Sequence, residues 1–219
     1  MIIVKDIIPL EIQRESVISI ITRDVNSYTH GFHKYPAKFI PQIPRWAINS
    51  YVSQGKNQVI LDPFVGSGTT LVEGLLYGCH VVGIDIDPLS ILISKVKTTR
   101  LNEKKLLLIS DWLIKKIHST KTGSFMPDCV TLGHWFIKDA INKLSIIRTL
   151  INQIPEVFGD GSEEKDIQDL LIICFSSIIR KVSNADNESQ KTYVSHTKIK
   201  NPEEVYSLFI KQLKYFIER

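Results

Sequence analysis

A glycine-rich stretch at residues 61–70, with the sequence LDPFVGSGTT, constrains the fold of this chain more than any other feature. It follows an apolar run at residues 59–61 and precedes an amphipathic segment that ends near Gly78. A second apolar run begins at His80 and leads to Asp85. This order of strand, glycine-rich turn, helix, strand and acidic residue predicts a Rossmann-like unit that binds a nucleoside cofactor.

The apolar spacing on either side of this stretch predicts an amino-terminal part of mixed α and β structure. A segment rich in aromatic residues, histidine and proline at residues 28–41 is predicted to be an ordered loop. The predicted strands lie at 58–62 and 80–86, and the predicted helices lie at 12–22, 41–51, 68–78 and 89–99.

Beyond residue 100 the pattern becomes helical, and only residues 128–132 suggest another strand. We therefore divide the chain into a Rossmann-like cofactor-binding part with an N-terminal loop motif at residues 1–100 and a mainly helical extension at residues 101–219. The helices predicted in this extension lie at 103–118, 138–154, 164–183 and 202–218.

The number of strands bears on how complete the predicted α/β fold is. Two parallel strands bury too little surface for an open α/β sheet, which needs several strands and cover on both faces. The sequence therefore predicts an incomplete Rossmann-like fold with added helices. Either a partner completes the sheet or the chain is a shortened form of a longer enzyme, and both alternatives stay open.

Composition sets broad limits on the class of protein. The chain has 219 residues, of which 43% are hydrophobic and 23% are charged, as is usual for a globular protein with a buried core. Its three cysteines are far apart and no histidine cluster accompanies them, which argues against a zinc site. A signal sequence and a membrane-length apolar run are both absent, so we expect a soluble cytoplasmic protein without a membrane partner.

The net charge of +4 is unevenly distributed along the chain. Residues 90–150 contain 11 lysine and arginine residues against four acidic ones. Two interpretations remain open for this basic region: solvated helix faces, or a surface that faces nucleic-acid phosphates.

The glycine-rich stretch differs from two common nucleotide-binding motifs. A nicotinamide-binding fingerprint has a third glycine where Leu71 stands, and a P-loop ends with a Gly-Lys pair that this stretch lacks. Asp62 would repel a pyrophosphate but attract the sulfonium and ammonium groups of S-adenosylmethionine. Backbone N–H groups at residues 66–69 can face the carboxylate of that cofactor, and Asp85 can accept hydrogen bonds from its ribose. The alternative is that both acids only cap their loops.

At these positions the chain resembles a known family. The sequence DPFVGSGTT is similar to the cofactor-binding motif of the DNA amino-methyltransferases, which methylate the exocyclic nitrogen of cytosine or adenine. The sequence HGFHKYPAKF at residues 30–39 resembles the motif that these enzymes place beside the methionine end of the cofactor. The order of the two motifs, followed by Asp85, matches members whose catalytic motif lies C-terminal.

The resemblance implies an S-adenosylmethionine-dependent methyltransferase fold, double-stranded DNA as the partner, and a role in DNA methylation and restriction-modification. Together with the ligand chemistry above, it implies a cofactor site formed by Pro36, Ala37, Lys38, Phe39, Asp62, Pro63, Phe64, Gly66, Ser67, Gly68, Thr69 and Asp85.

One motif of the family is absent from the sequence. These enzymes carry an Asp/Asn/Ser-Pro-Pro-aromatic motif that holds the target amine and stacks on the flipped base. The chain contains no Pro-Pro pair, and residues 133–136 (GHWF), the nearest candidate, are interpreted as packing. We therefore assign no catalytic residue and expect a truncated or split form, with a second chain that supplies the catalytic motif. The alternatives are a non-catalytic partner subunit or degenerate relative, and a methyltransferase that acts on RNA or a small molecule.

A polar segment after the helix at 164–183 provides the candidate DNA contacts. Its sequence RKVSNAD at residues 180–186 also resembles a segment found in such enzymes. The alternatives are capping of the helix end and a solvated linker. His30 and His33 are predicted to order their loop rather than bind metal, so no metal site is expected. The candidate DNA-contacting residues are Arg180, Ser183, Asn184 and Lys191.

Overall fold

The structure is a computed structural model that describes residues 2–5, 7–21, 25–36, 38–53, 57–186, 192–194 and 204–219. The chain divides into two compact units, Met1–Thr99 and Arg100–Arg219.

The amino-terminal unit alternates strands and helices. Within the described residues it contains two separate two-stranded parallel sheets, β1–β2 and β3–β4. Along the chain the elements are β1 (Ile2–Lys5), β2 (Ile18–Ile21), a 3-10 turn (Tyr28–Gly31), α1 (Gln42–Tyr51), β3 (Val59–Asp62), α2 (Thr69–Leu76), β4 (His80–Gly83) and α3 (Pro88–Thr98).

Strands β3 and β4 position the glycine-rich turn. They run parallel, with Val59 opposite His80 and Asp62 opposite Gly83. Because α2 connects two parallel strands, the turn after β3 and the residues after β4 emerge at the same edge of the pair. Asp62 and Asp85 are therefore brought to one edge, as the sequence pattern predicts.

The β3–β4 pair has one covered face and one exposed face. Helix α2 packs on the face that carries Ile60 and Val81. Side chains alternate along a strand, and on the other face Leu61 and its partner Val82 are 58% and 47% exposed. The mixed helix and strand structure with a small parallel sheet confirms the α/β class.

The carboxy-terminal unit is helical in its described part. Apolar residues at spacings of three and four, such as Ile109, Leu113 and Ile117 in the first helix, are almost fully buried. No helix in the described part of the chain has the length and apolar character needed to cross a membrane. The helices are α4 (Glu103–Ser119), α5 (Leu132–Trp135), α6 (Lys138–Asn152), α7 (Ile154–Phe158), α8 (Ser162–Val182) and α9 (Val205–Ile217).

Two of the sequence predictions of secondary structure are wrong. In the helix predicted at residues 12–22, the described residues 12–21 are not helical, because Ile18–Ile21 extend as β2 and pair with β1. This segment is rich in β-branched residues, which favour strands when a partner strand is available. Residues 128–132 do not form a strand: Cys129 N–H bonds the carbonyl of Pro127 in a turn, and α5 follows.

Candidate cofactor-binding site

The glycine-rich stretch forms a tight turn between β3 and α2. Gly66 and Gly68 have positive φ angles of 48° and 76°, which glycine adopts without steric cost. A Cβ atom on Gly66 would lie 3.2 Å from Cε1 of Tyr35, and one on Gly68 would lie 2.9 Å from Cβ of Ser94. The turn is therefore enclosed by the loop that carries Tyr35 and by α3.

Asp85, two residues beyond the end of β4, holds this turn in place through hydrogen bonds. Its Oδ1 accepts a hydrogen bond from the backbone N–H of Asp87 at 3.0 Å, and its Oδ2 accepts one from the N–H of Gly66 at 2.8 Å. The bonds from Asp87 and Gly66 hold the pKa of the Asp85 carboxyl below its usual range. Asp62 similarly accepts from the N–H of Phe64 at 3.1 Å. Both acids cap backbone amides, and each carboxylate keeps further lone pairs for a ligand.

Close contact between α2 and the strands depends on Gly74. A Cβ atom at this position would lie 2.7 Å from Cγ1 of Val81 and 3.1 Å from Cδ1 of Ile60. In a nicotinamide-binding fingerprint the third glycine allows this helix–strand approach. Here Leu71 occupies that position, and Gly74 makes the approach possible one helical turn later.

A buried polar cluster joins the loop at residues 28–39 to helices α1 and α2. Nε2 of His30 lies 2.9 Å from Oε1 of Glu73, and the guanidinium of Arg45 donates to both Glu73 oxygens at 2.7 and 3.0 Å. Burial raises the pKa of Glu73, but the hydrogen bonds from His30 and Arg45 outweigh it and lower the pKa overall. The ionised carboxylate therefore anchors the loop.

A second chain of hydrogen bonds ties the same loop to the start of α3. The hydroxyl of Tyr35 lies 2.7 Å from Oγ of Ser90, and Ser90 donates to Oδ2 of Asp87 at 2.8 Å. Asp87 also caps α3, since its Oδ1 accepts from the N–H of Leu89 at 3.0 Å. His30 and Tyr35 thus both fix the loop, and Oγ1 of Thr29 adds a hydrogen bond to the carbonyl oxygen of Lys97 at 2.9 Å.

Two lysines hold backbone carbonyl groups of the turn and of the loop. Nζ of Lys97, on α3, donates to the carbonyl oxygen of Ser67 at 2.7 Å, and Lys97 is only 5% exposed. Nζ of Lys38 donates to the carbonyl oxygen of His30 at 3.0 Å. Burial, with repulsion from Lys38, lowers the pKa of Lys97 to about 7, and burial also lowers the pKa of Lys38.

The turn and the loop line a cavity of about 420 Å³. Of the residues predicted to hold a cofactor, Pro63 and Gly68 do not line it, and Ala37 lies outside the described residues. The predicted residues that line the cavity are Pro36, Lys38, Phe39, Asp62, Phe64, Gly66, Ser67, Thr69 and Asp85, and they are joined there by Tyr35, Val65 and Thr70.

Three of the candidate DNA-contacting residues, Arg180, Ser183 and Asn184, lie at the end of α8. Arg180 donates to the carbonyl oxygen of Asp186 through Nε and Nη2, and Oγ of Ser183 accepts from the N–H of Ala185. Asn184 donates to the carbonyl oxygen of Trp135, which brings residues 133–136 beside the end of α8. Lys191 lies outside the described residues. The side chains of Arg180, Ser183 and Asn184 bond backbone groups around the helix end, and contact of the candidate residues with DNA stays a prediction.

The part of the chain that the structure describes contains no group of three or more histidine, cysteine, aspartate or glutamate residues able to hold a metal ion.

Known proteins match the part of the chain that contains both the loop motif and the glycine-rich turn. A family model described as DNA methylase matches residues 13–95, which include both the loop and the glycine-rich turn. The type II methyltransferase M.MvaI of Kocuria varians is 34% identical over 186 residues. The chain belongs to the DNA amino-methyltransferase family.

The two relatives match different lengths of this chain, and each match covers only part of the relative. The match to M.MvaI covers 80% of the chain and 39% of M.MvaI. The type II methyltransferase M.MjaII of Methanocaldococcus jannaschii is 37% identical over 102 residues, which are 47% of the chain and 18% of M.MjaII. The chain thus spans less than two fifths of the length of either relative. No solved structure matches it. S-adenosylmethionine is the methyl donor of the family.

Sequence reasoning missed the two buried charges that support the site in this methyltransferase-family chain. Lys97 is one of the basic residues of 90–150, and it lies four residues after the buried Ile93, on the same face of α3. Glu73 lies between the buried residues Val72 and Gly74 on α2. A charged residue at a position that the helical period assigns to the core is the signal that identifies both.

Proposed function

We propose that this chain is the cofactor-binding part of an S-adenosylmethionine-dependent DNA methyltransferase that acts on the exocyclic amine of cytosine or adenine. One observation carries the proposal: the cavity is lined by both family motifs at once. The loop contributes Tyr35, Pro36, Lys38 and Phe39, and the turn contributes Phe64, Val65, Gly66, Ser67, Thr69 and Thr70. In this proposal the β3–α2–β4–α3 segment is the nucleoside-binding portion of a Rossmann-like fold.

The residues that line the cavity suit the chemical groups of the cofactor. Asp62 supplies negative charge for the sulfonium and ammonium groups, and Asp85 can accept from the ribose through its remaining lone pairs. Phe39 and Phe64 are exposed aromatic side chains that can cover the apolar parts of the ligand. A cavity of about 420 Å³ is within the size range of small-molecule sites.

The methyl transfer itself needs groups that hold the target amine. When bound, S-adenosylmethionine would supply the methyl group: an N–C bond to the target amine would form as the S–C bond breaks, S-adenosylhomocysteine would leave, and the methylated amine would release a proton to solvent. Because the sequence contains no Pro-Pro pair, we propose that a further segment or a second chain supplies the amine-holding motif. The partners in this proposal are double-stranded DNA and that segment, and the proposed location is the cytoplasm, where DNA is accessible in a bacterial or archaeal cell.

Calorimetric titration of the purified chain with S-adenosylmethionine tests the proposal. We expect saturable binding with one site per chain. Asp85→Ala should weaken binding at least tenfold, because it removes both the brace of the turn and the ribose acceptor. The matched control is Asp160→Ala, an exposed acid in the second unit, which should bind as the unaltered chain does.

The titration and a methyl-transfer assay test two parts of the proposal separately: cofactor binding by this chain, and the split form of the enzyme. Absence of binding by a folded chain would contradict cofactor binding by this part of the enzyme. Binding without methyl transfer to duplex DNA, followed by transfer when a Pro-Pro-containing partner segment is added, would support the split-enzyme form.

One observation favours a second candidate, a non-catalytic subunit. The nearest aromatic candidate for base stacking, at residues 133–136, is occupied in other contacts: Trp135 accepts from Asn184, and Phe136 lines an apolar cavity of about 310 Å³ within the second unit. Cofactor binding that persists while no added segment restores methyl transfer would support this candidate.

A further inference from the structure

One end of the second unit brings together parts of four helices. The ring centroids of His118, in the last turn of α4, and Tyr206, in the first turn of α9, lie 5.5 Å apart. Nζ of Lys143, on α6, lies 5.5 Å from the centroid of the same Tyr206 ring. Ile141 on α6 and Ile179 on α8 line one apolar cavity. The end of α4, the first half of α6, the end of α8 and the start of α9 are therefore neighbours.

Five lysines give this end of the unit a positive charge, and we call it the basic end. The lysines that define it are Lys115, Lys116, Lys121, Lys138 and Lys181. Among the described residues, no ion pair or hydrogen bond involves any of their ammonium groups. Two acids at the same end, Asp139 and Glu204, both bind Lys143 instead. The basic end thus presents positive charge that the fold itself does not neutralise.

The opposite end of the unit carries the opposite charge. Residues 156–169, which include the end of α7 and the first turns of α8, contain six acids and one lysine. Nε2 of Gln168 donates to the carbonyl oxygen of Ile151 at 2.8 Å, and Ile151 lies at the other end of α6 from Lys138. A phosphate backbone is therefore attracted to one end of the unit and repelled from the other, and this asymmetry orients the unit on a polyanion.

Helix stability accounts for only part of the basic end. Lys116 and Lys181 lie in the last turns of α4 and α8, where the helix dipole favours a positive charge. Lys138 is the first residue of α6, where the dipole opposes a positive charge. Its neighbour Asp139 pairs with Lys143 and does not compensate for it. The contacts within the described residues therefore give Lys138 no stabilising role, whereas an external anion would.

We propose that the basic end binds the phosphate backbone of double-stranded DNA. The inference rests on the proposed function, which supplies DNA as the partner, and it assigns the surface of this chain that holds the duplex. The five lysines position the duplex and carry no sequence information, since they contact phosphates and not base edges. Arg180, Ser183 and Asn184 lie at the end of α8 and therefore border this surface.

The salt dependence of DNA binding tests the inference. A fluorescent DNA duplex is titrated with the purified chain at several KCl concentrations, and the slope of log K against log salt counts the phosphates that the protein neutralises. The test variant combines Lys115→Gln, Lys116→Gln and Lys138→Gln. Its slope should fall in magnitude by about 2–3, because each lost phosphate contact removes about 0.9. The matched control is Lys165→Gln, an exposed lysine among the acids of α8, and its slope should not change.

Lysine footprinting locates the bound DNA independently of affinity. The unaltered chain is acetylated with an N-hydroxysuccinimide ester, with and without the duplex, and mass spectrometry of peptides measures the modification of each lysine. We expect the duplex to protect the five lysines of the basic end. Lys165, Lys211 and Lys214 are exposed on other parts of the unit and should react as before. Equal protection of the two groups, or protection of the second group alone, would overturn the inference.

Further outcomes keep this inference distinct from the proposed function. Binding of S-adenosylmethionine without binding of duplex DNA at low salt would overturn the inference and leave cofactor binding standing. An unchanged slope in the triple variant would also overturn it, as would tighter binding of a double-stranded RNA of the same sequence. DNA binding through the basic end by a chain that does not bind S-adenosylmethionine would support the inference and contradict the proposed function.

Discussion

The imidazole of His30 and the carboxylate of Glu73 lie 2.9 Å apart and are almost completely buried, with exposed fractions of 1% and 2%. They belong to different elements, the 3-10 turn at Tyr28–Gly31 and α2, separated by 43 residues of sequence. Arg45 completes the cluster from α1. The loop motif and the turn motif are therefore connected through one carboxylate that does not line the cavity.

Replacement of Glu73 should destabilise the chain strongly. Glu73→Ala leaves His30 without its buried hydrogen-bond partner and removes the ion pair of Arg45, whose side chain is 40% exposed, which together cost about 1–3 kcal/mol in unfolding free energy. Urea unfolding followed by circular dichroism measures this, with the exposed Glu11→Ala as the control. A loss below about 1 kcal/mol would show that the cluster is not a structural anchor.

The same cluster predicts an acid-dependent loss of stability. Because the pKa of Glu73 is lowered in the folded chain, its contribution is fully present above the unfolded value of about 4.3 and decreases as the pH falls through the folded pKa. The stability difference between the unaltered chain and Glu73→Gln should therefore shrink below about pH 4. A difference that stays constant from pH 7 to pH 3 would contradict the assignment.

Gly74 should not tolerate a methyl group. Gly74→Ala places a Cβ atom 2.7 Å from Cγ1 of Val81, so α2 must move away from β4 at a cost of about 1–3 kcal/mol. Gly133→Ala is the matched control, because nothing lies within 4 Å of its Cβ position on α5. Thermal unfolding of both variants should show a lowered midpoint for Gly74→Ala alone.

Because of Lys97, the unfolding free energy of the ligand-free chain should change with pH in the alkaline range. Burial, with repulsion from Lys38, lowers its pKa to about 7, so the unfolded chain binds more protons than the folded chain between about pH 7 and pH 10. Stability in the unaltered chain therefore rises with pH across this range. Lys97→Met should remove that rise, and urea unfolding at pH 7, 8.5 and 10 compares the slopes.

The cysteines should react at different rates. Cys129 is exposed, whereas Cys174 is fully buried on α8 and burial raises the pKa of its thiol well above its usual range. Because thiolates are the reactive species, a maleimide should label Cys129 in the folded chain and leave Cys174 unlabelled until denaturant is added. Mass spectrometry of labelled peptides identifies each site; rapid labelling of Cys174 would mean that α8 opens readily.

The sequence carried enough information for most helices and for the βαβ core of the site. Helical periodicity located α4, α6, α8 and α9, and the apolar runs located β3 and β4. It did not locate β1, because the segment Ile2–Lys5, although rich in β-branched residues, is only four residues long and becomes a strand by pairing with Ile18–Ile21. That pairing is a tertiary contact, and local patterns do not contain it.

The candidate site was predictable in its glycines and acids but not in its supporting charges. The spacing from Gly66 to Asp85 placed the turn and the acid at one strand edge. The contacts of Glu73 with His30 and of Lys97 with Ser67 join residues 43 and 30 positions apart. Such contacts depend on how helices pack on the turn, which hydrophobic periodicity alone does not determine.

Gly74 has a consequence for how relatives of this chain are recognised. Some glycines are needed because they let a helix approach a strand closely, and not for their backbone conformation. Such a glycine can stand at either of two positions one helical turn apart, because both positions face the same strand. Evolution can therefore relocate it while the helix keeps its closeness to the sheet. Searches that require a fixed interval between the glycines of a nucleotide-binding turn will overlook such chains, and a search that scores the helix face will retrieve them.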